Sequence, residues 1–199
     1  MRKLILSSGN PHKVDELKKI LANLEIQVLT KDEVGQGDLD VIEDGDTLEA
    51  NALKKARALA EKVEGIVLAD DTGLFVDALN GEPGVYSARY AGEECSYQAN
   101  NTKLLGALAG VAPEKRTARF KTVIALIDEK GAEYIIEGVC EGRILDEKKG
   151  SAGFGYDPLF LPEGYEQTFA ELGEDIKNKI SHRARAIYLM RDKLAEILG

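Results

Sequence analysis

The chain has 199 residues, of which 44% are apolar and 31% charged, with a formal net charge of −9. That length supports one large domain or two fused lobes around a sizeable core, and the apolar content excludes a disordered chain. The acidic balance argues against binding long nucleic acid by general surface charge, and no apolar run nears the ~20 residues that cross a bilayer.

Leu4-Ile5-Leu6 reads as a strand that leads into Ser7-Ser8-Gly9-Asn10-Pro11. These polar residues cut the apolar run short, so the N-terminus does not read as a signal peptide. Asn10 is a good N-cap and Pro11 suits the first helical position. Val14, Leu17, Leu21 and Leu24 recur at helical spacing, which predicts an amphipathic helix over 11–24. A second strand follows at 26–29, an acidic loop at 32–46, and a helix over 48–63 capped by Thr47 with Leu53, Ala56, Leu59, Ala60 and Val63 inward. A short buried strand is predicted at 66–69 and an ordered loop at 79–93. A helix follows at 97–110, then a hairpin of strands 119–127 and 133–139 around Asp128-Glu129-Lys130-Gly131. A Gly-rich stretch, 150–155, precedes a short strand near 159–161. Ser181 caps the last helix, with Ile187, Met190, Leu194 and Ile197 facing the core. Cys95 and Cys140 have no metal-ligand spacing and read as free thiols of a reducing cytosol.

Five segments carry possible chemistry. In the first, free N–H groups, a helix N-terminus and Lys13 follow a turn of small residues, an arrangement that holds phosphate. The alternative is a plain strand–turn–helix join. The second is Ala69-Asp70-Asp71-Thr72-Gly73, placed at a strand end. Two adjacent carboxylates there need water or a cation. Alternation along an extended chain lets one face a site while the other is tied to the scaffold. Oxygen ligands of this kind suit Mg²⁺, and the alternative is a solvated Asp-Asp turn. The third is Glu43, a second metal carboxylate or a solvated charge, with Lys55 able to reach phosphate. The fourth is Gly153-Phe154-Gly155-Tyr156-Asp157-Pro158, in which two glycines bracket a ring. That ring offers a face to a flat base, or else tucks into the core. Asp157 could accept from a ring N–H. The fifth is Lys177 with Ser181-His182-Arg183, donors suited to a purine keto oxygen or to phosphate. His12 and His182 have no partner at zinc spacing.

These motifs, with Pro83-Gly84-Val85-Tyr86-Ser87-Ala88-Arg89-Tyr90, occur in an order that resembles the inosine triphosphate pyrophosphatase family, also called Ham1-like or XTP/dITP diphosphatases. The match covers nearly the whole chain. The resemblance implies a single α/β domain over residues 1–199, with a long, mixed, twisted sheet flanked by helices and two lobes around a central cleft. It implies hydrolysis of non-canonical purine nucleoside triphosphates (ITP, dITP, XTP) to the monophosphate and pyrophosphate, with Mg²⁺ as cofactor. It further implies a cytoplasmic homodimer that cleans nucleotide pools, with no membrane and no long nucleic acid as partner. By the same resemblance, Ser8, Gly9, Asn10, Pro11, His12 and Lys13 form the triphosphate loop. Asp71 is the proton acceptor and, with Glu43, a metal ligand. Lys55, Thr72, Arg89, Phe154, Gly155, Tyr156, Asp157, Lys177, His182 and Arg183 contact substrate.

One position departs from the pattern. Where the family commonly reads Thr-x-x-Glu-Asn-Ala, this chain reads Thr47-Leu48-Glu49-Ala50-Asn51-Ala52. Ala50 removes a capping-box carboxylate, at a cost of about 0.5–2 kcal/mol by analogy with lost caps. Ala50 also keeps open a weakened enzyme or a nucleotide sensor as an alternative. A Maf-type pyrophosphatase acting on other nucleotides is the other alternative, against which the Phe-Gly-Tyr-Asp and Ser-His-Arg segments argue.

Overall fold

A computed structural model describes residues 1–8, 11–93 and 96–199, without the side chains of residues 11, 12 and 16. The expected cap at Asn10, the loop glycine Gly9, the thiol of Cys95 and the side chains of Pro11 and His12 lie outside the described residues.

The fold is α/β, as the motifs imply. In chain order the strands are β1 (Arg2–Leu6), β2 (Ile26–Thr30), β3 (Ile66–Val76), β4 (Pro83–Gly84), β5 (Thr117–Ile127), β6 (Glu133–Ile144) and β7 (Phe160–Pro162). The helices are α1 (Pro11–Ile20), α2 (Leu48–Ala60), α3 (Tyr97–Ala107), α4 (Phe169–Ile180) and α5 (His182–Leu198). The strands form one mixed sheet in the order β2-β1-β3-β5-β6-β7, with β4 paired to β3. β1 runs parallel to β2 and β3, whereas β3/β4 and β6/β7 are antiparallel. No helix of the described residues is long and apolar enough to cross a membrane.

The chain divides into two compact units. The first comprises residues 1–71, 122–138 and 185–199, and the second 72–121 and 139–184. In the first unit, Leu4 and Leu6, Ile66 and Leu68, and Ile124 and Leu126 alternate onto one sheet face. Val14, Leu17 and Leu21 from the α1 side, and Ala186, Ile187, Met190 and Leu194 from α5, bury against that face. Period 2 in the strands meets period 3.6 in the helices, and one apolar layer results. In the second unit, Leu74 and Val76 of β3 pack with Leu104, Phe120, Ile144, Tyr156, Phe160 and Phe169.

Several sequence expectations are corrected. β3 does not stop at Ala69 but runs to Val76, so Asp70 and Asp71 sit within a strand rather than in a turn. Glycine at 73 is demanded by that strand's pairing with β4, because a Cβ there would lie 2.5 Å from the Gly84 carbonyl oxygen. The helices beginning at 11, 48 and 97 end at 20, 60 and 107, earlier than their apolar spacing predicts, and β6 extends to Ile144 rather than 139. α4 was not foreseen. Its start carries a complete capping box: Thr168 Oγ1 accepts from Glu171 N at 3.3 Å, and Glu171 Oε2 accepts from Thr168 N at 2.9 Å. Ser181 behaves as expected, with Oγ accepting from Ala184 N at 3.1 Å.

The loss at Ala50 is smaller than a lost cap. Thr47 Oγ1 still accepts from Ala50 N at 3.1 Å, so only the reciprocal half of the box is absent.

Candidate functional site

Two groups of polar side chains form, one in each unit. The group in the first unit is built on β3. Successive strand residues point to opposite sides, which separates the adjacent carboxylates. Asp70 Oδ2 accepts from Lys13 Nζ of α1 at 2.7 Å. Asp71 turns to α2, where its Oδ2 accepts from Asn51 Nδ2 at 3.1 Å and its Oδ1 lies 3.8 Å from Lys55 Nζ. Lys55 Nζ also donates to Glu43 Oε2 at 2.9 Å. The carboxylates of Asp70 and Asp71 are only 11% and 13% exposed, so charge pairing rather than solvation holds them. A solvated Asp-Asp turn is therefore excluded. The acidic loop brings Glu43 to the same Lys55 ammonium that faces Asp71, and Ser8 follows directly on the residue whose N–H donates to the Leu68 carbonyl of β3 at 2.9 Å.

This donor set fits a hard divalent cation. Glu43 and Asp71 already converge on one positive charge, the Lys55 ammonium. Among the described residues no group of three or more His, Cys, Asp and Glu could hold a metal. Two protein carboxylates, with water and substrate phosphate completing the shell, is the usual arrangement for Mg²⁺. Asn51 belongs to this group and was missed. It is 1% exposed on a helix, and a buried Asn within a polar helical sequence gives no signal of its own.

The group in the second unit is built on the 153–157 turn and on α4 and α5. Phe154 is 37% exposed, so its ring is not tucked into the core. Lys177 Nζ lies 4.7 Å and Arg183 Cζ 5.7 Å from its centroid, and Tyr97 stands 6.2 Å away. Asp157 is 3% exposed, and its Oδ2 accepts from Phe154 N at 2.9 Å and from Lys177 Nζ. That oxygen thereby ties Phe154 to Lys177. Its approach requires glycine at 153, since a Cβ there would lie 2.2 Å from Asp157 Oδ2. Gly155 Cα takes a positive φ of 60° in open space, and its carbonyl accepts from Asn101 Nδ2 at 3.0 Å.

Tyr156 and His182 are buried. Tyr156 donates its hydroxyl to Ser87 O at 2.8 Å and anchors the turn to the core. His182 stacks on Phe120 with centroids 4.6 Å apart. The Pro83–Tyr90 motif forms a corner in which Ser87 Oγ accepts from Leu74 N and donates to Gly84 O. Arg89 of this corner lies over the Tyr86 ring and 3.8 Å from Glu93. Thr72 follows Asp71 on β3 as the first residue of the second unit.

An α/β protein with a paired-carboxylate group and an aromatic group ringed by cations is the class that these features define. The Ham1 family profile matches residues 4–193. A dITP/XTP pyrophosphatase of Thermoanaerobacter pseudethanolicus is 50% identical over 196 residues, covering 98% of each chain. One of Clostridium perfringens is 48% identical over 204 residues, covering all of both. A HAM1 protein from Coxiella burnetii superposes with a TM-score of 0.91 at 40% identity, covering 98% of this chain and 100% of that one. The Staphylococcus aureus Ham1 protein gives a TM-score of 0.90 at 39% identity over 98% and 100% of the two chains. The chain belongs to the Ham1 family.

Proposed function

We propose that this protein is a nucleoside triphosphate pyrophosphatase that hydrolyses non-canonical purine nucleotides (ITP, dITP, XTP) to the monophosphate and pyrophosphate. The observation that carries the reading is the Glu43–Lys55–Asp71 cluster, present in a chain about 50% identical to dITP/XTP pyrophosphatases over its whole length. Glu43 and Asp71 would hold the divalent cofactor, Mg²⁺, which would offset phosphate charge and ease the loss of a proton from water. Asp71 orients the attacking water toward the α-phosphorus and takes its proton at a carboxylate oxygen. Lys55 and Lys13 bind the triphosphate, Lys13 reaching it from its Asp70 partner, and Ser8 with the loop through Lys13 supplies donors to the leaving pyrophosphate.

The base is bound by the aromatic group. Phe154 offers a stacking surface worth about 1–3 kcal/mol. Arg183 donates to the 6-keto oxygen that hypoxanthine and xanthine carry and adenine lacks. A donor left unpaired by adenine rejects it strongly. Thr72, Lys177 and Arg89 complete the substrate contacts, while Gly155, Tyr156, Asp157 and His182 hold the turn and helix that present them. A cytoplasmic homodimer acting on the nucleotide pool is the biological form we assign to it.

The test is product analysis. With Mg²⁺, ITP should give inosine monophosphate and pyrophosphate in equal amounts, with no reaction in excess chelator. Asp71→Asn should lose at least about 100-fold in kcat while nucleotide affinity changes little. Release of orthophosphate and a diphosphate, or an active Asp71→Asn protein, refutes the reading.

A further inference from the structure

We propose that Asn51 is a positioning residue for Asp71: its carboxamide ties the loop that carries Glu43 to the strand that carries Asp71, and so sets which Asp71 oxygen faces the reaction. The inference rests on the role given to Asp71 above.

Asn51 is 1% exposed in the first turn of α2, so its carboxamide is closed to bulk water. A buried carboxamide needs partners for both ends. Asn51 Oδ1 accepts from Gly45 N at 2.8 Å, two residues beyond Glu43. Because an N–H can only donate, that bond fixes which end of the amide is oxygen. Nδ2 is therefore the end that donates to Asp71 Oδ2 at 3.1 Å. With Oδ2 turned to Asn51, Oδ1 is the oxygen turned to Lys55 and, through it, to Glu43. Asn51 and Lys55 are four residues apart, so both lie on one face of α2. One helix face thus holds both carboxylates, one through an amide and one through an ammonium. The fit is close on the loop side as well: a Cβ at Gly45 would lie 2.7 Å from Asn51 Oδ1. A residue here with only a packing role would not need both an acceptor and a donor at these two positions.

Two substitutions separate the two bonds. Asn51→Asp keeps an acceptor for Gly45 N–H but sets an oxygen against Asp71 Oδ2. Asn51→Ala removes both bonds. Both should lose about 10- to 100-fold in kcat on ITP with KM within about threefold, the usual scale for partners that orient a ligand carboxylate. If Asn51 only secured the loop, Asn51→Asp would retain wild-type kcat, and that result overturns the proposal. Adding Asn51→Ala to Asp71→Asn should cost no more than about twofold beyond Asp71→Asn alone; independent, multiplying losses also overturn it. Mn²⁺ binding to the nucleotide-free protein, read from water-proton relaxation, should weaken about tenfold in Asn51→Ala. Unchanged Mn²⁺ affinity counts against the positioning role. The Mn²⁺ arm needs no turnover, so a wild-type protein inert toward ITP would refute the proposed activity and leave this test standing.

Discussion

Gly153 and Gly155 offer a matched pair of perturbations on the Phe154 turn, the group proposed to bind the base. Both have positive φ, 78° and 60°, so alanine at either position carries the left-handed penalty of about 1–2 kcal/mol. Only one meets an obstacle. A Cβ at 155 has nothing within 4 Å, whereas a Cβ at 153 would lie 2.2 Å from Asp157 Oδ2. Ordinary contact begins near 3.4 Å, so the Asp157 carboxylate must retreat by about 1 Å. That oxygen accepts from both Phe154 N and Lys177 Nζ. Hydrogen bonds to a charged group contribute about 1.5–3 kcal/mol each, so losing one brings the Gly153→Ala cost to about 3–5 kcal/mol. At about 2–4 °C per kcal/mol for a chain of this size, Gly153→Ala should lower Tm by roughly 10 °C and Gly155→Ala by roughly 4 °C. The same retreat frees Lys177 and Phe154, so KM for ITP should rise at least about tenfold in Gly153→Ala and less than about threefold in Gly155→Ala. Differential scanning calorimetry and initial rates of pyrophosphate release read the two effects. Equal Tm losses would refute the steric argument, and an unchanged KM in a destabilised Gly153→Ala would detach this turn from substrate binding.

Restoring the absent carboxylate by Ala50→Glu should complete the Thr47 capping box, raise Tm by about 1–4 °C and increase kcat on ITP; no gain in either quantity contradicts the account of position 50. Asp77 Oδ2 accepts from Thr117 Oγ1 at 2.7 Å, and both Asp77 oxygens face the Arg119 guanidinium. The Thr117 hydroxyl first, and then Arg119, hold this carboxyl below the ordinary Asp range. A depressed folded pKa contributes stability that is complete above the unfolded value of about 3.9 and is lost as pH falls through the folded value. The Tm gap between wild type and Asp77→Asn should therefore be constant from pH 5 to 7 and close below about pH 4. A gap that persists unchanged at low pH assigns the effect to shape rather than charge.

Local signals made most of this architecture legible. The strand and helix periods of the first unit's core, the Thr47 and Ser181 caps and the 128–131 turn all follow from short stretches of sequence. The continuation of β3 through Asp70-Asp71-Thr72-Gly73 did not, because polar residues hide a strand whose carboxylates are paired from two different helices. Lys13 and Asp70 lie 57 positions apart, and nothing local announces their 2.7 Å bond. The start of α4 was readable from Thr168 and Glu171, but Gly173, at φ 74°, interrupts the helix and breaks its apolar period. In the candidate site, Asp71 and Phe154 stood out by their local motifs, whereas Glu43 is one carboxylate of an acidic loop and gained its role only from the family resemblance. Asn51 did not stand out, since its importance comes from burial between two partners and not from its neighbours in sequence.

The claim at the centre of this account is that a donor-lined purine site selects the base while paired carboxylates serve the phosphates. The ratio of kcat/KM for ITP to that for ATP, measured by pyrophosphate release at saturating Mg²⁺, tests it in one number. The account predicts about 10⁴ or more in favour of ITP over ATP, with XTP alongside ITP. A ratio near one would contradict it.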